Sequence, residues 1–160
     1  MIAFKPPLNA SDDTWHEYAD DCCLYFNSKL SHFLIEGFGY KPRWVNQRLG
    51  VGLTSTIKAY TMKYDLYLRM FPRPEAGWPR ETLVIARIGF KDERKGHGRR
   101  LLTLMTELAP ELGYKHIAIE CANENSSAFG RRFGLQPMDE RGSNWIGTVD
   151  DVQRALEQSL

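Results

Sequence analysis

The chain has 160 residues, 42% of them hydrophobic and 26% charged, which fits one folded domain and excludes a disordered or collagen-like protein. Its 21 Lys and Arg against 20 Asp and Glu give a net charge of +1, which excludes the strong positive field typical of nucleic-acid-binding proteins. No apolar run approaches the roughly 20 residues that a membrane-spanning helix needs. We therefore expect a soluble protein with neither a nucleic acid nor a membrane as partner.

The three cysteines, Cys22, Cys23 and Cys121, match neither a disulfide framework nor the spacing of metal ligands. We interpret all three as small apolar residues of the interior. Their number and spacing fit a reducing compartment, so we expect a cytoplasmic protein without a metal site.

The first half of the chain begins with a helix signal. Ser11 is a capping residue, two aspartates follow it, and apolar residues at helical spacing predict one helix from about 12 to 32. The helix is acidic and could attract a cationic amine, or could simply present a solvated face. Glycines and a proline between 34 and 54 predict turns, alternating apolar residues over 55–71 predict a strand or a hairpin, and prolines over 72–79 predict a loop.

The second half alternates strand and helix patterns. Residues 82–88 form an apolar, β-branched run typical of a central strand covered on both faces. After the turn at 91–100, leucines at helical spacing continue to Gly113, which ends the helix. A second strand over 116–121 and a short helix over 125–133 follow. This order predicts an α/β fold in which helices pack on a mixed sheet.

The turn at 91–100 carries the strongest chemical signal. Gly96 and Gly98 lie between a strand and a helix start, where backbone N–H groups can approach an anion without obstruction by a Cβ atom. Basic residues surround them: Lys91, Arg94, Lys95, Arg99 and Arg100. The pattern predicts a phosphate-binding loop, and the alternative is a tight turn that opens a solvated basic helix.

The sequence Glu93-Arg94-Lys95-Gly96-His97-Gly98 resembles the pyrophosphate loop of the GNAT superfamily of N-acetyltransferases, [Q/R]-x-x-G-x-[G/A], with Glu93 at the position of the usual Gln or Arg. Neither the dinucleotide-binding pattern nor the P-loop fits this spacing. A second GNAT pattern, N-x-x-A-x-x-[L/F]-Y, resembles the segment with Asn123, Ser126, Phe129 and Gly130. Here Gly130 replaces the tyrosine. The resemblance covers residues 82–138.

This resemblance implies one GNAT-like domain over 1–160, with an acceptor-side half at 1–80 and an acetyl-CoA-binding core at 82–138. Two parallel strands would splay apart and receive acetyl-CoA between them. The residues implied in cofactor binding are Ile88, Gly89, Phe90, Arg94, Lys95, Gly96, His97, Gly98, Arg99, Asn123, Ser126 and Phe129. The implied activity is acetyl transfer to a primary amine of a small molecule or a protein, with a homodimer as an option. The alternative is a non-catalytic acyl-CoA-binding module of the same fold.

Two carboxylates are candidates for the general base. Glu120 ends the second strand and could reach the cleft, or could pair with Arg131 or Arg132. Glu81 opens the first strand, where some GNAT enzymes place a catalytic carboxylate, or could be a solvated loop residue. Since Gly130 offers no hydroxyl, we expect the proton for the leaving thiolate to come from water, with Tyr114 and Ser127 as alternatives.

Overall fold

The computed structural model describes residues 4–45, 47–52, 54–73, 77–92 and 95–159. Within them, seven strands form one sheet: β1 (Gln47–Leu49), β2 (Thr56–Tyr60), β3 (Tyr64–Arg69), β4 (Thr82–Phe90), β5 (His116–Ile119), β6 (Gln136–Pro137) and β7 (Trp145–Thr148). The α-helices are α1 (Asp12–His32), α2 (His97–Leu112), α3 (Glu124–Arg132) and α4 (Val149–Gln158). After α1, the chain continues through a π-helical turn (Phe33–Gly37) and a 3₁₀ turn (Pro42–Trp44).

The strands are ordered β1-β2-β3-β4-β5-β7-β6, and β4 and β5 are the parallel pair at the centre. The other neighbouring strands run antiparallel. Helix α2 connects β4 to β5, as a parallel crossover requires. The predicted mixed sheet with two central parallel strands is confirmed.

β4 and β5 separate halfway along β4. Their register runs only from Thr82 opposite His116 to Ile85 opposite Ile119, and a last bond follows from the Glu120 N–H to the Ile85 carbonyl at 2.9 Å. β4 then continues to Phe90 along β3, and a register shift between Tyr67 and Leu68 of β3 leaves Ala86 as an extra residue on β4. Such a bulge bends its strand. Among the described residues, the second half of β4 therefore has no strand paired on its β5 side, and we call this edge, together with the chain that leaves β5, the opening.

The helices cover one face of this sheet. The main core joins apolar residues of α1, α2 and α4 to the inward-facing residues of β2 to β5, such as Leu66, Leu83 and Ile117. On the other face, a small cluster of Trp78, Val84 and Ala118 is buried. The prediction that both faces of 82–88 are covered therefore applies to the first half of β4, because Ile85 is fully buried whereas Arg87 is exposed.

The helix predictions are confirmed at the level of whole elements. Ser11 caps α1 by accepting a hydrogen bond from the Thr14 N–H at 3.2 Å. α2 ends at Gly113, whose φ of 73° is the left-handed conformation that favours glycine at this position. Among the described residues, no helix combines the length and the apolar character that crossing a membrane requires.

The strand or hairpin predicted over 55–71 is a hairpin of β2 and β3. Tyr60, which lies on the exposed face of β2 with Lys58, is 70% exposed, and Met62 in the turn is 77% exposed. Cys121 was expected in the interior with Cys22 and Cys23, yet it is exposed, since the chain leaves the sheet there with a φ of 50°. No sequence pattern predicted an element after 133, where β6, β7 and α4 complete the fold.

Candidate active site

The opening beside β4 lies next to the start of α2. Gly96 is the N-cap of α2 with a φ of 76°, and a Cβ at this position would meet no atom within 4 Å. The Arg100 N–H donates to the Gly96 carbonyl at 3.0 Å, so the N–H groups of His97, Gly98 and Arg99 precede the first bond of the helix. Free N–H groups at the positive end of a helix dipole are suited to a phosphate group.

Gly98 is the point where three elements meet. A Cβ on Gly98 would lie 2.9 Å from Cε2 of Phe129 in α3 and 3.7 Å from Cδ1 of Ile88 in β4. A glycine here allows the two side chains to pack directly on the backbone of α2. The structure thus brings together Ile88, Gly98 and Phe129, which the resemblance had placed in one cofactor site.

The basic residues of the loop divide into two groups. Lys91 and Lys95 are exposed beside the helix start. Arg99 donates from Nε to the Ser159 hydroxyl at 3.1 Å and from Nη2 to the Leu156 carbonyl at 2.5 Å, so its guanidinium binds the end of α4. Glu93 and Arg94, both part of the predicted pyrophosphate loop, lie outside the described residues. Because the Arg99 side chain binds α4, this residue can contact a ligand only through its backbone N–H.

Asn123 and Ser126 form a capping box at the start of α3. The Asn123 side chain accepts from the Ser126 N–H at 2.8 Å, and the Ser126 hydroxyl accepts from the Asn123 N–H at 2.9 Å. These bonds satisfy two N–H groups of the helix end. Both residues follow β5 in the chain and so lie on the β5 side of the opening. The capping box holds their side chains in place.

An aromatic wall stands on the other side of the α2 start. Phe38 packs against Phe90 at a ring distance of 5.5 Å and against His97 at 4.5 Å. The Arg100 guanidinium lies 4.5 Å from the centre of the Phe38 ring and donates to the Gly37 carbonyl. Sequence reasoning missed this wall, because the segment 34–54 shows no periodicity that would place Phe38 next to the loop.

Glu120 lies at the apex of the opening, where β4 and β5 part. It is 6% exposed, and its two carboxylate oxygens accept from Arg73 Nε at 3.0 Å and from Arg69 Nε at 3.3 Å. The pairing with Arg131 or Arg132 that the sequence suggested is wrong. The alternation of β3 places Arg69 on the same side of the sheet as Glu120. Arg73 reaches Glu120 from the loop after β3.

Glu81 lies at the opposite end of β4. It is 6% exposed and forms an ion pair with Lys5, whose ammonium also donates to the Gly113 carbonyl at 3.2 Å. Because Thr82 is paired with His116, about five residues of extended strand, about 17 Å, separate the backbone of Glu81 from that of Glu120 along the sheet. The structure therefore does not bring the two predicted carboxylates together, and Glu81 is a buried structural ion-pair partner instead of a solvated loop residue.

The two candidate proton donors, Tyr114 and Ser127, differ in how deeply they are buried. Tyr114 is 2% exposed, donates to the Met70 carbonyl at 2.5 Å, and has a pKa raised well above its ordinary value because it is buried. Ser127 is half-buried in α3, with its hydroxyl 3.5 Å from the Gly142 carbonyl. Gly130 faces the interior, where a Cβ would lie 3.3 Å from Cδ1 of Ile119. A side chain at position 130 would enter the core.

Two of the acidic residues of α1 have structural partners. Asp12 accepts from Arg80 at 2.5 Å, and Asp20 accepts from the Ser55 hydroxyl at 2.7 Å and from the Gly52 N–H at 2.8 Å. These contacts fasten α1 to the loops around it. For Asp12 and Asp20, these contacts indicate a structural role, which neither the solvated face nor the attraction of an amine had anticipated.

Neither a family model nor a curated protein matches the sequence. Solved structures with similar chain paths include PaiA N-acetyltransferase from Thermoplasma acidophilum in complex with coenzyme A, at 17% identity and a TM-score of 0.41 over 59% of each chain. An acetyltransferase of the GNAT family from Staphylococcus aureus Mu50 is similar at 8% identity and a TM-score of 0.43, over 87% of this chain and 96% of that one. Tetrahymena GCN5 is similar at 7% identity and a TM-score of 0.43, over 79% and 88%.

The match spans less than two thirds of the Thermoplasma chain. TM-scores below 0.5 mark distant likenesses, and the conclusion on fold rests on the sheet order and the parallel β4–β5 pair. In its two motifs and in this topology, the chain resembles the GNAT superfamily of N-acetyltransferases.

Proposed function

We propose that this protein binds acetyl-CoA in the opening beside β4 and transfers the acetyl group to a primary amine. The observation that carries the proposal is that the edge of β4 that is no longer paired with β5 lies next to the open start of a helix. The parallel pairing of β4 ends at Ile85, and the glycine-bordered N-terminus of α2 follows directly after β4. Backbone groups can bind the pantetheine arm along the strand and the pyrophosphate at the helix.

The residues present fit such a ligand. Gly96 leaves open space at the helix start, since a Cβ there would meet nothing within 4 Å. Lys91 and Lys95 are exposed and carry charges that attract phosphate. We propose that the N–H groups of His97, Gly98 and Arg99 bind the pyrophosphate, and that Ile88, Gly89 and Phe90 contact the arm. Asn123, Ser126 and Phe129 would border the arm on the other side.

The chemistry requires little from the side chains. The amine nitrogen attacks the thioester carbonyl carbon, the C–S bond breaks, the amine loses one proton, and the thiolate leaves. A thiol ionises near pH 8.5, so the leaving group needs little protonation near neutral pH. This fits the positions of Gly130 and Tyr114, neither of which presents a hydroxyl to the opening. Glu120, at the apex of the opening, is the candidate to accept the amine proton, directly or through water.

A second candidate function is that of a non-catalytic acyl-CoA-binding module. It is favoured by the ion pairs that both candidate carboxylates form. Both oxygens of Glu120 accept from arginines, and Glu81 is paired with Lys5 at the other end of the strand. Each Glu120 oxygen already accepts one charge-assisted bond from an arginine, and a proton taken up there would weaken these ion pairs. Turnover separates the two functions.

The test is thiol release from acetyl-CoA with a panel of small amines and peptides with free amino groups. The proposal predicts multiple turnovers with at least one acceptor class and a fall of about a hundredfold or more in kcat for Glu120→Gln. Binding of coenzyme A by the same preparation without turnover on any acceptor would support the binding module. Absence of coenzyme A binding would contradict both functions.

A further inference from the structure

The face of the sheet away from the helices carries a row of cations. Ile57, Leu66 and Leu68 point into the core, so the residues that alternate with them point to the other face. On that face Arg48 of β1 lies opposite Lys58 of β2, Lys58 lies opposite Tyr67 of β3, and Tyr67 lies opposite Arg87 of β4. We call Arg48, Lys58, Tyr67 and Arg87 the basic row. It crosses four strands and spans about 14 Å.

The charges of the basic row are poorly balanced. Arg48 and Lys58 are directly opposite each other, an arrangement of like charges that destabilises a sheet. Among the described residues, neither of them has a carboxylate within 4.0 Å. Arg87 has a weak contact to Asp65, with 3.4 Å between its Nε and the nearer oxygen. The unfavourable arrangement points to an anionic partner.

Two further arginines connect the basic row to the apex of the opening. Arg69 lies 4.8 Å from the centre of the Tyr67 ring and also binds Glu120, as does Arg73, whose side chain is 43% exposed. Among the described residues, this face of β1 to β4 carries Arg48, Lys58, Arg69 and Arg87, and Arg73 follows in the loop after β3. The described carboxylates that pair with them are Asp65 and Glu120. Cations therefore outnumber their carboxylate partners beside the proposed site.

We propose that the basic row is the docking surface for the acceptor, and that the acceptor is an acidic polypeptide segment that carries the reactive amine. This inference rests on the proposed function, since it names the substrate class of the same opening. Guanidinium groups bind carboxylates in a two-pronged geometry. An extended peptide covers the length of the row with about four to five residues, so one amine could enter the opening while carboxylates lie over Arg87, Lys58 and Arg48.

A peptide fits this surface better than a single-stranded nucleic acid does. Binding of single strands relies on aromatic rings on which bases stack. The aromatic ring within the row is that of Tyr67, and its surroundings are occupied by cations: Lys58 at 4.7 Å, Arg69 at 4.8 Å and Arg87 at 5.5 Å from the ring centre. Carboxylates can bind these cations without displacing them from the ring.

The experiment compares two fluorescently labelled peptides of about ten residues with the full chain. Both have a free N-terminal serine, followed in one by alternating Glu and Gly and in the other by alternating Gln and Gly. Fluorescence anisotropy gives the dissociation constants at low and physiological salt. We expect the Glu peptide to bind at least about tenfold more tightly, and the difference to shrink as salt screens the charges.

The variant Arg48→Gln/Lys58→Gln should bind the Glu peptide about tenfold more weakly than the unmodified protein does, with an unchanged affinity for coenzyme A. The matched control Lys115→Gln/Arg154→Gln removes two exposed charges from other surfaces and should change neither affinity. Equal binding of the two peptides, or an unaltered Glu-peptide affinity in the row variant, would overturn the proposal. So would tighter binding of a ten-nucleotide single-stranded RNA that is lost in the same variant. If the unmodified protein binds the Glu peptide preferentially but does not bind coenzyme A, the acetyltransferase function is contradicted and the docking surface is supported.

Discussion

Phe129 packs on the backbone of Gly98 so closely that a Cβ at position 98 would lie 2.9 Å from its ring. Two residues 31 positions apart in the sequence thereby fix the distance between α3 and the start of α2. The contact also joins the two GNAT-like motifs, because Gly98 belongs to the loop motif and Phe129 to the downstream one. The geometry of the helix start depends on this pair.

Gly98→Ala should lower the stability of the protein by about 1 to 3 kcal/mol, because the added methyl group forces Phe129 or α2 to shift. Coenzyme A affinity should fall as well, since the helix start moves. The double variant Gly98→Ala/Phe129→Leu, which removes the ring, should recover part of the stability. Urea unfolding and calorimetry measure the two effects. Full stability of Gly98→Ala would show that the contact is not tight.

Gly130→Tyr should destabilise the protein and should not increase its activity. Position 130 faces Ile119 and Leu135, with 3.3 Å from a Cβ to the nearer side chain, so a tyrosine ring would be forced into the core. Ala128→Tyr is the matched control, because position 128 is exposed on the same helix. We expect a fall in Tm for the first variant and little change for the second. A faster, stable Gly130→Tyr enzyme would contradict the placement of this residue.

Lys95→Gln and Arg99→Gln should separate binding from structure within the predicted loop. Lys95 is exposed beside the helix start, so its loss should weaken coenzyme A binding by a few fold, more at low salt, without altering stability. Arg99 binds the Leu156 carbonyl and the Ser159 hydroxyl, so its loss should cost about 1.5 to 3 kcal/mol of stability. If Arg99→Gln weakened coenzyme A binding and left stability intact, its guanidinium would face the ligand instead.

Tyr114→Phe should leave kcat unchanged and reduce stability by about 1 kcal/mol, because it removes a buried hydrogen bond to the Met70 carbonyl. Burial raises the pKa of Tyr114 well above its ordinary value, so its proton is retained in the folded protein. Steady-state kinetics and thermal unfolding test the two statements. A hundredfold loss of kcat with intact coenzyme A affinity would make Tyr114 the proton donor.

Stability should decline at alkaline pH because of the two adjacent free cysteines of α1, which are buried. Burial raises the pKa of Cys22 from 9.0 to about 12 and also raises that of Cys23. Above about pH 9 the unfolded chain loses these protons while the folded protein keeps them, so the free energy of unfolding falls as pH rises. Each group contributes up to about 1.4 kcal/mol per pH unit. Denaturant unfolding at several pH values between 8 and 10 gives the free energy of unfolding as a function of pH. This free energy should fall less steeply with pH for Cys22→Ala than for the unmodified protein. An identical pH dependence would show that Cys22 does not cause the decline.

The elements that could be predicted from the sequence are those whose residue pattern is compatible with only one type of secondary structure. The capping residue before α1, the glycine after α2 and the β-branched run of β4 each fixed an element from local chemistry. The glycine pattern of the loop predicted a phosphate-binding loop at the start of α2, and the separation of β4 from β5 was implied by the GNAT resemblance. Cofactor and catalytic roles stay predictions, since they depend on a ligand.

The partners of the polar side chains were not predictable. Glu120 pairs with Arg69 and Arg73, which are 51 and 47 positions away, and no local pattern connects them. Glu81 pairs with Lys5 across 76 positions. The basic row likewise arises from strand register, because residues 48, 58, 67 and 87 become neighbours only once β1 to β4 are aligned. Tertiary pairing decided these contacts.

The central claim is that the open start of α2 binds the pyrophosphate of acetyl-CoA. Calorimetry of the full chain with acetyl-CoA, and in parallel with acetylpantetheine, which lacks the pyrophosphate and the nucleotide, tests it directly. The account predicts saturable binding of acetyl-CoA that weakens with salt, and a loss of at least about a hundredfold in affinity for acetylpantetheine. Equal affinity for the two compounds, or no binding of acetyl-CoA, would contradict it.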